Sequence, residues 1–416
     1  MTTPFTEQKV QAGSKEKISV LLVKTGILLI AFLIGFSSFK GLRTINDIGF
    51  VLLIILFIAK TVITYKENGS LPGFIYKPLD IFILLSFFWA LLTLVHALDP
   101  SYSFSEIMHK MTKQYLMYFL SFHIVSDYLH NKGKIENIFI LLVIATCIMS
   151  LYAIWQFLQS PVILKTRVTG FTGAFYRLAV FLVLSIPAMI VMFLSQKGWA
   201  KKLLFFIILT SGAALIFTFT RAAWIAVIVE VFILIALMSR KYLKIFSIAL
   251  LIVLLFGSIM AFTSGDYKKL IIHGSEKPRI AAVQHSIDII EKNFFMGIGY
   301  GKKAFLLHFQ NNVGVQHTHN IFLNTAIETG IPGLAFLVII LFFVIKKFLA
   351  ALKSEHLYEK RVFIAGVFSA IIGFLTLNLF DYMYIGWPGQ VFWLLIGIGL
   401  ALITTPAHIT VKRTTR

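Results

Sequence analysis

Leu203–Ser239 reads LLFFIILTSGAALIFTFTRAAWIAVIVEVFILIALMS, 37 residues carrying one arginine and one glutamate. As one helix it would run about 55 Å, far longer than the roughly 30 Å of a hydrocarbon core. The chain must therefore turn within it. The polar interruption nearest its middle is TFTRAAW, Thr218–Trp224. Two spans joined by almost no loop point to a polytopic α-helical membrane protein.

The rest of the chain extends the pattern. Of 416 residues, 58% are hydrophobic and only 13% charged, too few polar groups to cover a soluble core of this size. About twelve spans are expected, near 19–39, 48–65, 79–97, 113–130, 137–158, 176–195, 203–219, 222–239, 245–263, 333–348, 362–380 and 391–405. The expected organisation is thus 1–263 with nine transmembrane helices, 264–332 as one large outer loop with amphipathic helices, and 333–416 with three more helices and a C-terminal tail. Short alternating segments of the β-barrel kind are not evident. The only cysteine, Cys147, lies in a span and excludes an intrachain disulfide. The N-terminus is polar to about residue 17 and runs straight into a span, so no cleavable signal peptide is expected.

The net charge of +20 would point to nucleic acid in a soluble protein. Here the basic residues lie mostly in short loops and report topology, so nucleic acid is not an expected partner. With the N-terminus inside, inner segments hold 21 Lys and Arg and short outer segments hold 8. That bias places both termini in the cytoplasm. Lys24, Lys60 and Glu230 are charges within spans and form no pattern matched between two halves, as an inverted-repeat transporter would require.

The polar clusters then fall on the outer side. QHTHNIFLNTAIETGIPG, Gln316–Gly333, stands directly before a span. If it is helical from about His317, then His317, Asn320, Asn324 and Glu328 share one face and His319 points away, above Ala326 and Gly330. A neutral imidazole near the membrane boundary is a candidate base. A metal held by His317 and His319 is disfavoured, because few carboxylates accompany them. GIPG permits a bend. Upstream, KPRIAAVQHSIDIIEKNFF reads as an amphipathic helix with Ala282, Val283, Ile287 and Ile290 as its apolar stripe. GIGYG, Gly297–Gly301, reads as a tight turn. It follows a helix rather than a strand, so it is not a dinucleotide fingerprint.

Arg221 sits between two apolar helices, where an unpaired arginine costs roughly 2.5–3.5 kcal/mol. Arg167, Arg177 and Arg279 lie on the same expected face, and guanidinium suits phosphate through paired hydrogen bonds. Asp381, closing a span in NLFDYMYIGWPGQ, is placed to orient a histidine or an arginine. These residues describe an outer pocket with cationic clamps, a base and apolar walls. It would serve a lipid-linked phosphate compound or an anion transporter equally well.

HNIFLNTAIETGIPG resembles the O-antigen ligase pattern of His-Asn, nine residues, Gly, two residues, Gly: His319-Asn320, Gly330 and Gly333. TFTRAAW resembles that family's Ser/Thr-Arg element. PRIAAVQHSIDIIEKNFFMGIGYGKKAF resembles its periplasmic arginine helix and Gly-x-Gly turn. The likeness covers roughly 160–405. The chain departs from the pattern at Met296, where proline is common, and at Phe175–Arg177, where a Pro-Asn pair is common. The resemblance implies a glycosyltransferase of the bacterial inner membrane, with its active site on the periplasmic face, acting in lipopolysaccharide biosynthesis. Its donor would be an undecaprenyl-diphosphate-linked polysaccharide and its acceptor a sugar hydroxyl of lipid A–core. No cofactor or metal is implied. His319, Arg221 and Arg279 would be catalytic, with Asn320, His317, Asp381, Arg167 and Arg177 orienting groups or binding substrate. A polysaccharide polymerase, a protein O-oligosaccharyltransferase and, from another class, a transporter of anionic lipid or solute are the alternatives.

Overall fold

The structure, a computed structural model, describes residues 4–160, 167–238, 244, 276–301 and 318–406; the side chains of 4–17, Asn68 and 276–279 are outside that description. The expected span 245–263 and, within the 264–332 segment, residues 264–275 and 302–317, His317 among them, therefore lie outside the described residues.

The fold is all-helical among the described residues. The first half comprises α1 (Pro4–Phe36), α2 (Arg43–Asn68), α3 (Lys77–Leu92), the short α4 (Pro100–Glu106), α5 (Thr112–His130) and α6 (Glu136–Leu158). The second comprises α7 (Phe175–Ser195), α8 (Gly198–Phe217), α9 (Arg221–Met238), α10 (Glu276–Lys292), α11 (Ile321–Ser354), α12 (Tyr358–Phe380) and α13 (Trp387–Thr404). Ten of the described helices are long and apolar enough to cross a membrane.

Local chemistry sets many of the ends. Gly69 closes α2 with φ 64°, its N–H returning to Tyr65 O, the left-handed stop that favours glycine. Asp99 caps α4 by accepting the Tyr102 N–H at 3.0 Å, with Pro100 behind it. The 203–239 run does break at its arginine: α8 ends at Phe217, Phe219 takes φ 51°, and α9 starts at Arg221.

α5 is not among the ten apolar helices, although a span was expected at 113–130. Its polar residues explain why. They face partners rather than lipid: Gln114 Nε2 donates to Tyr384 O at 2.9 Å and Ser121 Oγ to Leu394 O at 3.1 Å. Asp127 pairs with Lys60 of α2, which gives one of the charges within spans its counter-ion. Backbone contact with α13 is close enough that a Cβ on Gly397 would meet Ser121 Oγ at 2.0 Å.

α7, α12 and α13 form the centre of the core, with Phe181, Phe374, Phe392 and Trp393 fully enclosed. α9 runs antiparallel to α12. Arg361 Nη2 donates to Leu237 O at 3.2 Å at one end, and Glu230 meets Gly373 further along, where a Cβ would lie 2.1 Å from its carboxylate. From that level Arg221 is nine residues along α9 and Asp381 eight along α12, so both lie about 12–14 Å further on, at the same end of the bundle.

The tenth expected span, 333–348, is the continuation of a helix that begins at Ile321. α11 is broken at Gly330, which has φ 72° and ψ 179°. A break inside a helix frees backbone groups, and buried ones need partners. The Gly-x-Gly turn supplies them. Ile298 N–H donates to Ile327 O at 2.8 Å, Gly299 N–H to Glu328 O at 3.2 Å, and Ile331 N–H to Phe294 O at 2.8 Å. Trp89 Nε1–H takes Thr329 O at 2.8 Å. GIGYG is thus a turn, as expected, with φ of 66°, 110° and 103° at its three glycines.

α10 is amphipathic, but its packed face differs from the expected stripe. Ala282, Ser286 and Ile289 are buried, while Val283 and Ile287 are exposed. The face is chosen by contact with Ile298 and with Ile327 of α11. Ser286 is tolerated there because its hydroxyl donates to Ala282 O at 2.5 Å.

Candidate active site

The stretch from Thr318 to Asn320 is not helical, which corrects the stripe expected on a helix from His317. His319 has φ 55°, a left-handed conformation uncommon for a residue with a Cβ and concentrated at functional sites. Asn320 is extended and caps α11: its Oδ1 accepts the Phe322 and Leu323 N–H groups at 2.8 and 3.1 Å. Its Nδ2 donates to Leu379 O at 3.1 Å, tying the start of α11 to the end of α12. His319 and Asn320 therefore lie before the helix, and only Asn324 and Glu328 share its face.

That tie brings His319 to Asp381. The imidazole Nδ1 lies 3.1 Å from Asp381 Oδ1, with both side chains mostly covered. Asp381 also accepts the Tyr382 N–H at 2.8 Å. A carboxylate on Nδ1 fixes the tautomer and places the basic lone pair on Nε2.

Asn320→Ala is expected to destabilise the protein by about 1 kcal/mol, the usual value of an N-cap. Asn320→Asp keeps the cap but loses the donor to Leu379, so it should fall between the two. Thermal unfolding in detergent checks the order; equal melting of all three proteins would remove the cap from this account.

A second cluster is cationic. Arg167 Nη2 donates to Phe219 O at 3.1 Å, and its guanidinium lies 4.2 Å from the Phe175 ring. Val168 N–H reaches Phe217 O at 3.2 Å, so this segment is laced onto the turn between α8 and α9. Partial desolvation, and then neighbouring Arg221, pull the Arg167 pKa below its ordinary value. Arg167 and Arg221 are thus near neighbours of like charge. Arg177 lies over the Tyr176 ring at 5.9 Å.

The structure thus joins His319, Asn320 and Asp381 in one constellation and Arg167 with Arg221 in another, at one end of the bundle. Position 279 lies on the α10 face of Ala282 and Ser286, but its side chain is outside the described residues. Sequence reasoning missed the groups that hold the break in α11, among them Trp89 and His96, whose Nδ1–H donates to Gly297 O at 2.9 Å.

A bundle of membrane-length helices with a histidine–carboxylate pair and a guanidinium pair at one end defines a multi-pass membrane protein with a polar site at its boundary. Residues 204–338 match the family described as O-antigen ligase. The activity class that goes with it is membrane glycan transfer of the ligase or polymerase type. The matched stretch contains Arg221, Arg279, His319, Asn320, Gly330 and Gly333, whereas Arg167, Arg177 and Asp381 lie outside it. No curated protein matches the chain.

Proposed function

We propose that the protein is an O-antigen ligase. It transfers a polysaccharide from undecaprenyl diphosphate to a sugar hydroxyl of lipid A–core, at the periplasmic face of the bacterial inner membrane. The observation that carries this is the Nδ1 contact of His319 with Asp381, at the same end of the bundle as Arg221.

In the proposed step His319 Nε2 takes the proton of the acceptor hydroxyl as its oxygen attacks the anomeric carbon. The bond from that carbon to the phosphate oxygen breaks, and undecaprenyl diphosphate leaves with the electron pair. Attack opposite the leaving group inverts the anomeric centre. Arg221, with Arg279, neutralises charge developing on the diphosphate. Asp381 stabilises the imidazolium that forms, Asn320 holds the backbone in place, and Arg167 extends the cationic surface around Arg221. His317 and Arg177 are assigned to binding of donor or acceptor. The diphosphate is already an activated leaving group, so the step needs neither metal nor nucleotide.

The test uses purified protein in nanodiscs with a chelator present, undecaprenyl-diphosphate glycan as donor and lipid A–core as acceptor. Ligated lipopolysaccharide on a gel is the expected product. Glycan that lengthens without lipid A–core would replace the ligase with a polymerase, and transfer to a peptide would replace it with a protein glycosylating enzyme. Movement of substrate without any new glycosidic bond would identify a transporter.

Arg221→Lys keeps the charge but not the planar fork that grips phosphate oxygens. It is expected to lower kcat by about tenfold or more, as loss of a charge-stabilising donor does, and Arg221→Ala by more. Steady-state kinetics at saturating donor check this; an unchanged kcat for Arg221→Ala would remove Arg221 from the reaction.

A further inference from the structure

The segment that carries Arg167 is fastened to the end of α6 by a side chain that the transfer chemistry leaves unused. Gln156 stands in the last turn of α6. Its Oε1 accepts the Thr169 N–H at 3.1 Å and the Gly170 N–H at 2.9 Å. Its Nε2 donates to Thr169 Oγ1 at 3.4 Å. Both lone pairs of one carbonyl oxygen are thus spent on two successive backbone groups, which fixes the direction of both peptide planes. Phe171 supplies the apolar half of the anchorage, stacked on Tyr152 of α6 at 3.9 Å and on Phe39 at 5.5 Å. Apolar contact is non-directional, so it holds the segment down without setting which way its peptide groups face.

On its other side the segment grips the turn between α8 and α9. Val168 N–H reaches Phe217 O at 3.2 Å, and Arg167 Nη2 donates to Phe219 O at 3.1 Å. Phe219 is the left-handed residue of that turn, two positions before Arg221. α6 and α8 also meet directly, with Phe157 stacked on Phe217 at 3.7 Å. That packing keeps the helix ends together. The hydrogen bonds from Gln156 to the Thr169–Gly170 backbone, and from Arg167 to Phe219 O, set where the turn holds Arg221.

We propose that Gln156 is a positioning residue for Arg221: it fixes the Thr169–Gly170 backbone, which keeps Arg167 on the Phe219 carbonyl. Its consequence for the reaction rests on the glycan-transfer reading. A guanidinium displaced from a developing charge contributes less of its stabilisation, and groups that act as one unit lose their effect once, not twice.

The experiment compares wild type, Gln156→Met, Gln156→Glu, Arg167→Ala and the Gln156→Met/Arg167→Ala double variant in the nanodisc assay. Gln156→Met removes the acceptor at similar length and should lower kcat by about tenfold. Gln156→Glu keeps an oxygen for both N–H groups and should recover most of the rate. The double variant should be no slower than Arg167→Ala alone. A second readout does not depend on turnover. Hydrogen exchange of the turn amides 218–221, followed by mass spectrometry, should quicken severalfold in Gln156→Met and match wild type in Gln156→Glu. No loss of rate in Gln156→Met, losses that multiply, Gln156→Glu as slow as Gln156→Met, or unchanged turn amides in Gln156→Met would each overturn the proposal. Should Gln156→Met fail to fold, Gln156→Ala, which leaves room for water on the two N–H groups, takes its place with the same expectations. A wild type that forms no glycosidic bond overturns the transfer reading instead, and exchange at the turn still decides whether Gln156 holds it.

Discussion

His319→Ala is expected to lower the rate of transfer by about 10²- to 10⁴-fold, the usual contribution of a positioned general base. The loss should fall on kcat and leave donor KM nearly unchanged, because in the proposed step the imidazole acts on the acceptor proton while the arginines grip the diphosphate. Alanine is an imperfect probe here, since position 319 has φ 55°. Asparagine enters that region more readily than most residues, so His319→Asn preserves the backbone and removes the base. Both variants should be equally inactive and His319→Asn the better folded. Asp381→Asn should leave the fold intact and lower kcat by a smaller factor, since it disturbs the tautomer without removing the base. Activity of His319→Asn close to wild type, in protein with an unchanged melting curve, would remove the histidine from the chemistry.

Gly330→Ala is expected to be the most destabilising single methyl in the site region. Its backbone, φ 72° with ψ 179°, lies where essentially only glycine is found, and such strain costs roughly 1–3 kcal/mol by itself. The added Cβ would also stand 2.0 Å from Phe295 O and 2.4 Å from its carbonyl carbon. Backbone on both sides of that contact is locked by the hydrogen bonds that satisfy the broken helix, so neither partner can yield cheaply. Gly297→Ala faces the mirror problem, with φ 66° and a Cβ 2.4 Å from Ile327 O. Gly333 is different. It is helical, and its nearest obstacles are the hydroxyl and, at 2.5 Å, the Cβ of Thr329; rotation moves the hydroxyl but not the Cβ, so the clash remains while the left-handed backbone strain is absent. Folded yield and melting temperature in detergent should therefore fall most for Gly330→Ala and Gly297→Ala, which combine a backbone clash with a left-handed φ, and less for Gly333→Ala, which has the clash alone. Equal damage at 330 and 333 would show that the break in α11 is not what these glycines protect.

The two glycines of the His-Asn…Gly-x-x-Gly motif thus do different work, which spacing alone does not reveal. The same holds for its first half. A helical reading of Gln316–Gly333 is locally sound, since nothing in HTHNIFLN forbids a helix from starting early. The start is fixed at Ile321 because Asn320 finds both the free N–H groups of α11 and a carbonyl of α12, 59 residues away in the chain. On α10 the apolar periodicity was right and the face was off, because a serine that satisfies its own hydroxyl can pack inward and isoleucines beside lipid or water can stay out. α5 shows the converse: a helix with a polar sequence lies deep in the bundle because its polar side chains meet backbone carbonyls of the last helix and its connection.

Composition and hydrophobic run length commit this chain to the membrane as a stack of helices. They also locate the arginine at the α8–α9 break and the bend before the 333–348 run. These are properties of short windows, where the energies of burial and of unpaired backbone act residue by residue. The site is different in kind. His319 meets Asp381 across 62 residues, Arg167 meets the Phe219 carbonyl across 52, and the glycine turn repairs a helix that begins some twenty residues later. Each contact depends on where whole helices pack, and packing is set by side-chain volumes and hydrogen-bond geometry summed over the entire core. No local pattern carries that sum, so the chain announces the site's chemical groups while the packed bundle chooses which of them meet.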